Sequence, residues 1–142
     1  MVTLRVNTLK SNSKEIKRIL DKKNIKYETV SWYEDALIIY TDVKKILDLD
    51  IYKTGYIYLQ SLSSMFPPLI LEPKPLENIL DMTAAPGSKT TQISALTNNQ
   101  ALITAVEKNK IRCERLKYNI EKLGAKRINV LVTDARNIDE YF

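Results

Sequence analysis

The segment LDMTAAPGSKTT, residues 80–91, constrains the fold more than any other part of this 142-residue chain. An apolar strand that ends in Asp81 is followed by a tight Ala-Ala-Pro-Gly turn and by the start of a helix. The first turn of a helix carries backbone N–H groups without intrahelical partners, and these groups can hold a polar or anionic ligand. The pattern therefore predicts an α/β protein with a ligand site between this strand and this helix.

Two familiar phosphate-binding loops do not fit the segment. The nucleotide-hydrolase pattern G-x-x-x-x-G-K-[ST] requires a glycine directly before the lysine, where Ser88 stands. The dinucleotide pattern G-x-G-x-x-G also fails, because Gly87 is the only glycine between Gly55 and Gly124. A general strand, turn and helix site for a nucleoside ligand remains.

The following residues predict two more strands and a helix between them. Residues 101–107, ALITAVE, are typical of a buried strand, and INVLVTD, residues 128–134, predicts the next one. The helix between them has an apolar stripe at residues 113, 116, 120 and 123, and Gly124 is placed to end it.

Each of the three strands ends in an acid, namely Asp81, Glu107 and Asp134. The carboxyl ends of parallel strands meet at one edge of a sheet, so we expect these acids in one crevice. A carboxylate there can accept hydrogen bonds from both hydroxyls of a ribose. The alternative for each single acid is a solvated loop residue.

Five segments together resemble a known family. They are RVNTLK (5–10), GYIYLQSLSSMFPPLILEPKP (55–75), ILDMTAAPGSKTTQIS (79–94), AVEKNKIRCERLKYNIEKLGA (105–125) and TDAR (133–136). The chain resembles the S-adenosylmethionine-dependent RNA 5-methylcytosine methyltransferases, the Sun or nucleolar-protein family with the ribosomal RNA small-subunit methyltransferase B type. The Ala-Ala-Pro-Gly-x-Lys-Thr core is the most specific part, and the resemblance covers nearly the whole chain.

The resemblance implies a fold and a division of the chain. Residues 78–142 would be the first half of a Rossmann-like methyltransferase sheet, with strands 1–3 and crossover helices in the family order 3-2-1-4-5-7-6. Residues 1–52 would form a small basic α+β lobe, ferredoxin-like or RNA-recognition-like, because they show a βαββ pattern. Residues 53–77 would be a connecting strand and helix that helps to wall the pocket.

The resemblance also implies the cofactor S-adenosylmethionine and the residues that hold it. The loop around its methionine part would be Thr83, Ala84, Ala85, Pro86, Gly87, Ser88 and Lys89. Glu107 would hold the ribose, and Asp134 would lie beside the adenine. Arg112 is a candidate for supporting Glu107 from the crossover helix, and a solvent-facing helix charge is the alternative.

The chain departs from the family in its catalytic motifs. The family's Asp-Ala-Pro-Cys-Ser-Gly and Thr-Cys-Ser motifs are absent, and Cys113 is the only cysteine. Cys113 falls on the apolar stripe, where a free cysteine usually packs as a small hydrophobe. We therefore predict no catalytic residue in this chain, which we expect to be a truncated, inactive part of the enzyme. The alternative is a non-catalytic RNA- or cofactor-binding module.

The positive charge of the chain is concentrated near its start. Residues 1–30 hold eight Lys or Arg against three acids, whereas the remainder holds fourteen of each. Such a surface can neutralise phosphates, and we expect RNA contacts there, with a solvated helix face as the alternative. The candidate residues are Arg5, Lys10, Lys14, Lys17, Arg18, Lys22 and Lys23.

Three local predictions concern this lobe and the connector. Ser11 or Ser13 is expected to cap the first helix, and the connector helix is expected to stop near Pro67 and Pro68. The aromatic residues between positions 27 and 58 are interpreted mainly as packing, with stacking on bases as the alternative.

The remaining predictions concern partners and location. Without a fourth strand beside it, the segment 78–82 would be an open edge that recruits a second copy or a complementary C-terminal half. The chain has no apolar run long enough for a membrane span and no apolar signal segment, so we expect a cytoplasmic protein. With one cysteine and no histidine, no zinc site is expected.

Overall fold

The computed structural model describes all 142 residues and contains a four-stranded and a three-stranded sheet. The strands are Val2–Val6 (β1), Tyr27–Val30 (β2), Tyr33–Ile39 (β3), Ile57–Leu59 (β4), Asn78–Asp81 (β5), Leu102–Val106 (β6) and Ile128–Leu131 (β7). The helices are Ser13–Lys22 (α1), Val43–Leu47 (α2), Asp50–Lys53 (α3), Leu62–Leu71 (α4), Ser88–Leu96 (α5) and Lys110–Leu123 (α6), with a 3₁₀ segment at Ala135–Tyr141.

The first sheet is antiparallel, with strand order β2-β3-β1-β4. With α1 between β1 and β2, and α2 and α3 between β3 and β4, this is the ferredoxin-like arrangement that the sequence predicts. Its core forms because α1 is amphipathic and buries Ile16 and Leu20 against Leu4 and Val6 of the central strand. The fourth strand comes from the predicted connector, and the division of the chain at residue 52 stays a prediction.

The cap of α1 differs from the expectation. Asn12 is the cap, and its side-chain oxygen accepts the Glu15 backbone N–H at 2.9 Å. The hydroxyl of Ser11 instead donates to the Glu15 carboxylate, and that of Ser13 donates to the Glu34 carbonyl. The prediction of a serine cap was wrong because asparagine offers the same acceptor at the intervening position.

Helix α4 continues to Leu71 through both prolines, so the predicted stop near Pro67 and Pro68 was wrong. A proline inside a helix leaves the carbonyl four residues earlier without its N–H partner. For Pro68 that carbonyl belongs to Ser64, and it accepts a hydrogen bond of 3.1 Å from the Gln60 side-chain amide. A side chain thus replaces the missing backbone donor.

The second sheet is parallel, with strand order β5-β6-β7, and helices α5 and α6 connect its strands. This confirms the predicted first three strands of a methyltransferase sheet. The parallel register aligns Asp81 with Ala105 and Val106 with Leu131, so all three strands end at the same edge. Strands β5 and β7 are the two outer strands, and Leu80 on β5 is 43% exposed.

The two sheets are joined by polar contacts from the end of β1 and the loop that follows it. The buried Asn7 amide nitrogen donates to the Gly55 carbonyl at 2.7 Å and to the Leu123 carbonyl, in the last turn of α6, at 2.8 Å. Lys10 Nζ donates to the carbonyls of Thr54 and Lys122 at 2.9 and 2.7 Å. Cations and amide donors satisfy the free carbonyls at the end of a helix, so α6 is held by the first lobe.

None of the helices combines the length and the apolar composition that a membrane span requires.

A substitution at Gly55 tests the close approach of the two lobes. A Cβ atom there would lie 2.2 Å from the Lys122 carbonyl oxygen, and φ is +77°. Because both strain and overlap oppose alanine, we expect Gly55→Ala to lower the free energy of unfolding by about 3 kcal/mol in urea denaturation.

Gly124→Ala is the matched control. Gly124 also has a left-handed backbone, but the nearest atom to its Cβ would be the flexible Lys10 Cε at 3.2 Å. We expect a loss of about 1 kcal/mol from backbone strain alone. Equal losses in the two variants would contradict the proposed overlap at Gly55.

Candidate functional site

The turn after β5 is held from both sides. On one side the Asp81 carboxylate accepts the Thr90 hydroxyl at 2.6 Å and the Thr83 N–H at 3.3 Å. On the other side α6 donates from Arg112 to the Ala85 carbonyl and from Asn119 to the Pro86 carbonyl, each at 2.8 Å. Asp81 therefore orders the turn itself.

Gly87 connects this turn to α5. It has φ +108°, which favours glycine, and a Cβ atom would meet Leu116 Cδ1 of α6 at 3.0 Å. The turn can therefore approach α6 closely, and the free N–H groups at the start of α5 lie at the edge where the strands end.

Glu107 follows β6 and is only 5% exposed. One of its carboxylate oxygens accepts the Asn109 N–H at 2.9 Å, and the other lies 3.6 Å from Arg112 Nη1. Arg112 thus reaches both Glu107 and the Ala85 carbonyl, and the expected contact between Arg112 and Glu107 is present.

Asp134 follows β7 and is surrounded by donors. Its carboxylate accepts hydrogen bonds from the Arg136 backbone N–H, from Nε and Nη2 of the Arg136 guanidinium, and from the Lys108 ammonium. The Arg136 guanidinium, with help from Lys108, holds the pKa of this carboxyl well below its usual range.

A cavity of about 430 Å³ lies between these elements, and a cavity of this volume suits a small-molecule ligand. Thr83, Glu107, Arg112 and Asp134 line it together. Two of the three strand-end acids therefore share the crevice, whereas Asp81 lies under the turn. Sequence reasoning missed Lys108 and Arg136 as wall residues, although each follows a predicted acid within two positions.

The other residues of the predicted loop, Ala84 to Lys89, do not line this cavity. Ala84, Ala85 and Gly87 are buried, Pro86 is exposed, and Ser88 is the first residue of α5. Lys89 points to the other side of the loop, where its ammonium donates to the Ser64 hydroxyl at 3.1 Å and lines a second cavity of about 330 Å³ with Pro68 and Ile79.

Cys113 is 1% exposed on the inner face of α6, as the helical spacing predicts. It does not line the cavity beside Glu107. The structure also contains no group of three or more acidic or thiol side chains placed to hold a metal ion.

Arg5 is not part of a basic surface, so this prediction was wrong. It is fully buried, because it alternates along β1 with Leu4 and Val6 and faces the opposite side of the sheet, which α4 and α5 cover. Tyr58 on β4 is half-buried, and its ring centroid lies 5.8 Å from the Arg5 guanidinium.

The remaining basic residues that were predicted to bind RNA lie in two different places. Lys10 holds the end of α6 with its ammonium group. The others lie on or next to the solvent side of α1, where Lys17 is half-buried and the rest are exposed: Lys14, Lys17, Arg18, Lys22 and Lys23.

The residues that form this site match a known protein family. The model of the family described as 16S rRNA methyltransferase RsmB/F matches residues 68–142, which include the turn, both acids of the cavity and all three parallel strands. The chain belongs to the RsmB/F methyltransferase family.

Relatives in this family extend the similarity over nearly the whole chain. Ribosomal RNA small subunit methyltransferase F of Shewanella loihica is 37% identical over 145 aligned residues, which cover 98% of this chain and 30% of that protein. The tRNA (cytosine(49)-C(5))-methyltransferase of Pyrococcus abyssi is 39% identical, covering 98% and 45%. The chain thus spans less than half the length of these relatives.

The solved structure of a methyltransferase homologue from Pyrococcus horikoshii superposes with a TM-score of 0.91 at 32% identity. The superposition covers 98% of this chain and 46% of that one. The ferredoxin-like lobe and the three-stranded parallel sheet therefore have the same relative placement in this RsmB/F chain and in a solved relative.

Proposed function

We propose that this RsmB/F chain binds S-adenosylmethionine between the start of α5, Glu107 and Asp134, and forms the cofactor half of an RNA cytosine-C5 methyltransferase. The substrate would be ribosomal or transfer RNA in the cytoplasm. The observation that carries the proposal is the buried Glu107 carboxylate, fixed by Arg112 beside the free N–H groups of a helix start.

The residues of the cavity fit the chemical groups of this cofactor. Glu107 offers acceptors for the two ribose hydroxyls, while its contact with Arg112 keeps its carboxylate oriented. The loop Thr83–Lys89 would surround the methionine part, because free N–H groups at the start of α5 attract its carboxylate. Asp134 would lie beside the adenine.

The bound cofactor would supply a methyl group on a sulfonium, which a carbon nucleophile can attack. Carbon 5 of cytosine is a poor nucleophile until a thiolate adds to carbon 6. Cys113 cannot supply this thiolate, because it is buried in α6 outside the cavity. We therefore propose that methyl transfer requires a complementary polypeptide segment that carries the nucleophile.

Strand β5 is the proposed docking edge for that segment. Its outer backbone groups have no neighbouring strand, and Leu80 on it and Met82 directly after it are exposed apolar residues. Cavities of about 450 and 330 Å³ lie along this strand, lined mainly by apolar side chains. An exposed apolar edge pairs with another strand, so the isolated chain would associate with a second copy in place of its complement.

The burial of Cys113 also favours a second candidate function, a binding module without chemistry of its own. The two functions share the cofactor site and differ in methyl transfer. Transfer of a labelled methyl group to RNA after addition of a complementary segment supports the enzyme, and its absence supports the binding module.

Glu107→Ala tests the cofactor site. Loss of two hydrogen bonds to a charged group should weaken S-adenosylmethionine binding about a hundredfold in titration calorimetry. The control is Glu121→Ala, which removes an exposed carboxylate of α6 away from the cavity. Unchanged affinity in Glu107→Ala would refute the ribose assignment.

Charge reversal tests the basic surface of α1. Changing Lys14, Lys17, Lys22 and Lys23 to Glu should weaken RNA binding at least about tenfold and flatten its salt dependence, because phosphate contacts release counterions. The control reverses four exposed lysines elsewhere, Lys44, Lys45, Lys53 and Lys126. Equal losses in both variants would show general attraction rather than a site on α1.

The edge is tested by Leu80→Lys, since a charge on an edge strand opposes pairing. We expect the unaltered chain to form dimers or larger species in sedimentation at micromolar concentrations, and the variant to be a monomer. Leu47→Lys, on the exposed side of α2, is the control. A monomeric unaltered chain whose amides at 78–82 exchange freely would contradict the proposal.

A further inference from the structure

Arg5 is a fully buried guanidinium in the middle of β1. No carboxylate lies within ion-pair distance of it, and its Nη1 has no hydrogen-bond partner. Burial lowers the pKa of its guanidinium. A buried charge without a directly paired carboxylate costs stability, and a buried aliphatic side chain at this position would avoid that cost.

The bonds that Arg5 does make lead to the proposed cofactor loop. Nη2 donates to Thr91 Oγ1 at 3.0 Å, and this hydroxyl lies 2.7 Å from the Gly87 carbonyl. A guanidinium has no acceptor, so Thr91 must accept from Arg5. The single hydrogen of its hydroxyl is then donated to the Gly87 carbonyl, which is nearer than the Ser88 carbonyl at 3.3 Å. A hydroxyl polarised by a cation is a stronger donor.

The Gly87 carbonyl also accepts the Thr91 backbone N–H at 2.9 Å. Two donors therefore fix the peptide between Gly87 and Ser88. The orientation of this peptide sets the direction of the first N–H groups of α5. Gly87 itself has a left-handed φ, which residues with a Cβ atom disfavour.

A second arm of Arg5 holds the same helix. Nε donates to the Gln60 side-chain oxygen at 2.9 Å, and the Gln60 amide donates to the Gln92 side-chain oxygen at 2.9 Å. Arg5 therefore reaches α5 at two successive residues, Thr91 directly and Gln92 through Gln60.

We propose that Arg5 is a positioning residue for the cofactor loop, acting through Thr91 on the Gly87 peptide so that the N–H groups of α5 meet the amino acid end of the ligand. This proposal rests on the proposed cofactor function. It concerns one end of the ligand, whereas Glu107 serves the ribose.

The test compares two ligands that differ at that end. S-adenosylmethionine carries the amino acid, and 5′-methylthioadenosine has the same adenosine and sulfur without it. Thr91→Val removes the hydroxyl at equal volume and should weaken S-adenosylmethionine about tenfold in calorimetry, with 5′-methylthioadenosine unchanged. Thr91→Ser should keep the affinity, and Arg5→Met should repeat the Thr91→Val pattern.

Thr97→Val is the matched control. Thr97, directly after α5, is also buried and its hydroxyl donates to the carbonyl four residues earlier, but it makes no hydrogen bond with Arg5. Its substitution should change neither affinity, so a general loosening of α5 is separated from the loss of the Arg5 relay.

Each outcome decides between the two proposals. If Thr91→Val weakens both ligands equally or neither, while Glu107→Ala weakens both, the positioning role of Arg5 is refuted and the cofactor site stands. If the unaltered chain binds neither ligand, the cofactor site fails and the role of Arg5 fails with it.

Discussion

The structure depends on the way β1 meets the last turn of α6. Asn7 satisfies a carbonyl of the first lobe and a carbonyl of α6 with one buried amide group, and Gly55 leaves room for the contact. A buried polar network of this kind is stabilising only when its members are paired, so it selects one relative placement of the two sheets. The cavity beside Glu107 lies at the other end of α6, where Arg112 lines it.

Much of the second sheet could be predicted from the sequence because its signals are local. Apolar runs of strand length, the turn containing Gly87 and the stripe of α6 each follow from spacing alone. The resemblance to the RNA 5-methylcytosine methyltransferases predicts the strand order, which the structure confirms. The register that brings Glu107 and Asp134 to one cavity follows from parallel pairing.

Three of the wrong predictions have a common physical cause, which is that tertiary contacts decided them, whereas the cap of α1 was decided locally by Asn12. Arg5 was predicted to be a surface charge because the sequence does not show that β1 lies between β3 and β4 in a sheet covered on both faces. Helix α4 does not end at Pro68, because the side chain of Gln60, eight residues earlier, donates to the Ser64 carbonyl that the proline leaves without a partner. Likewise, Asp81 serves the turn rather than the cavity because Thr90 lies within reach of its carboxylate.

Arg112 has a consequence for how the cavity keeps its dimensions. Its planar fork touches the strand-end carboxylate of Glu107 with one nitrogen and the turn carbonyl of Ala85 with another. The gap between the end of β6 and the turn after β5 is therefore gauged by the width of a single rigid group. A shift of either wall would therefore disturb a side chain on which the other wall also depends.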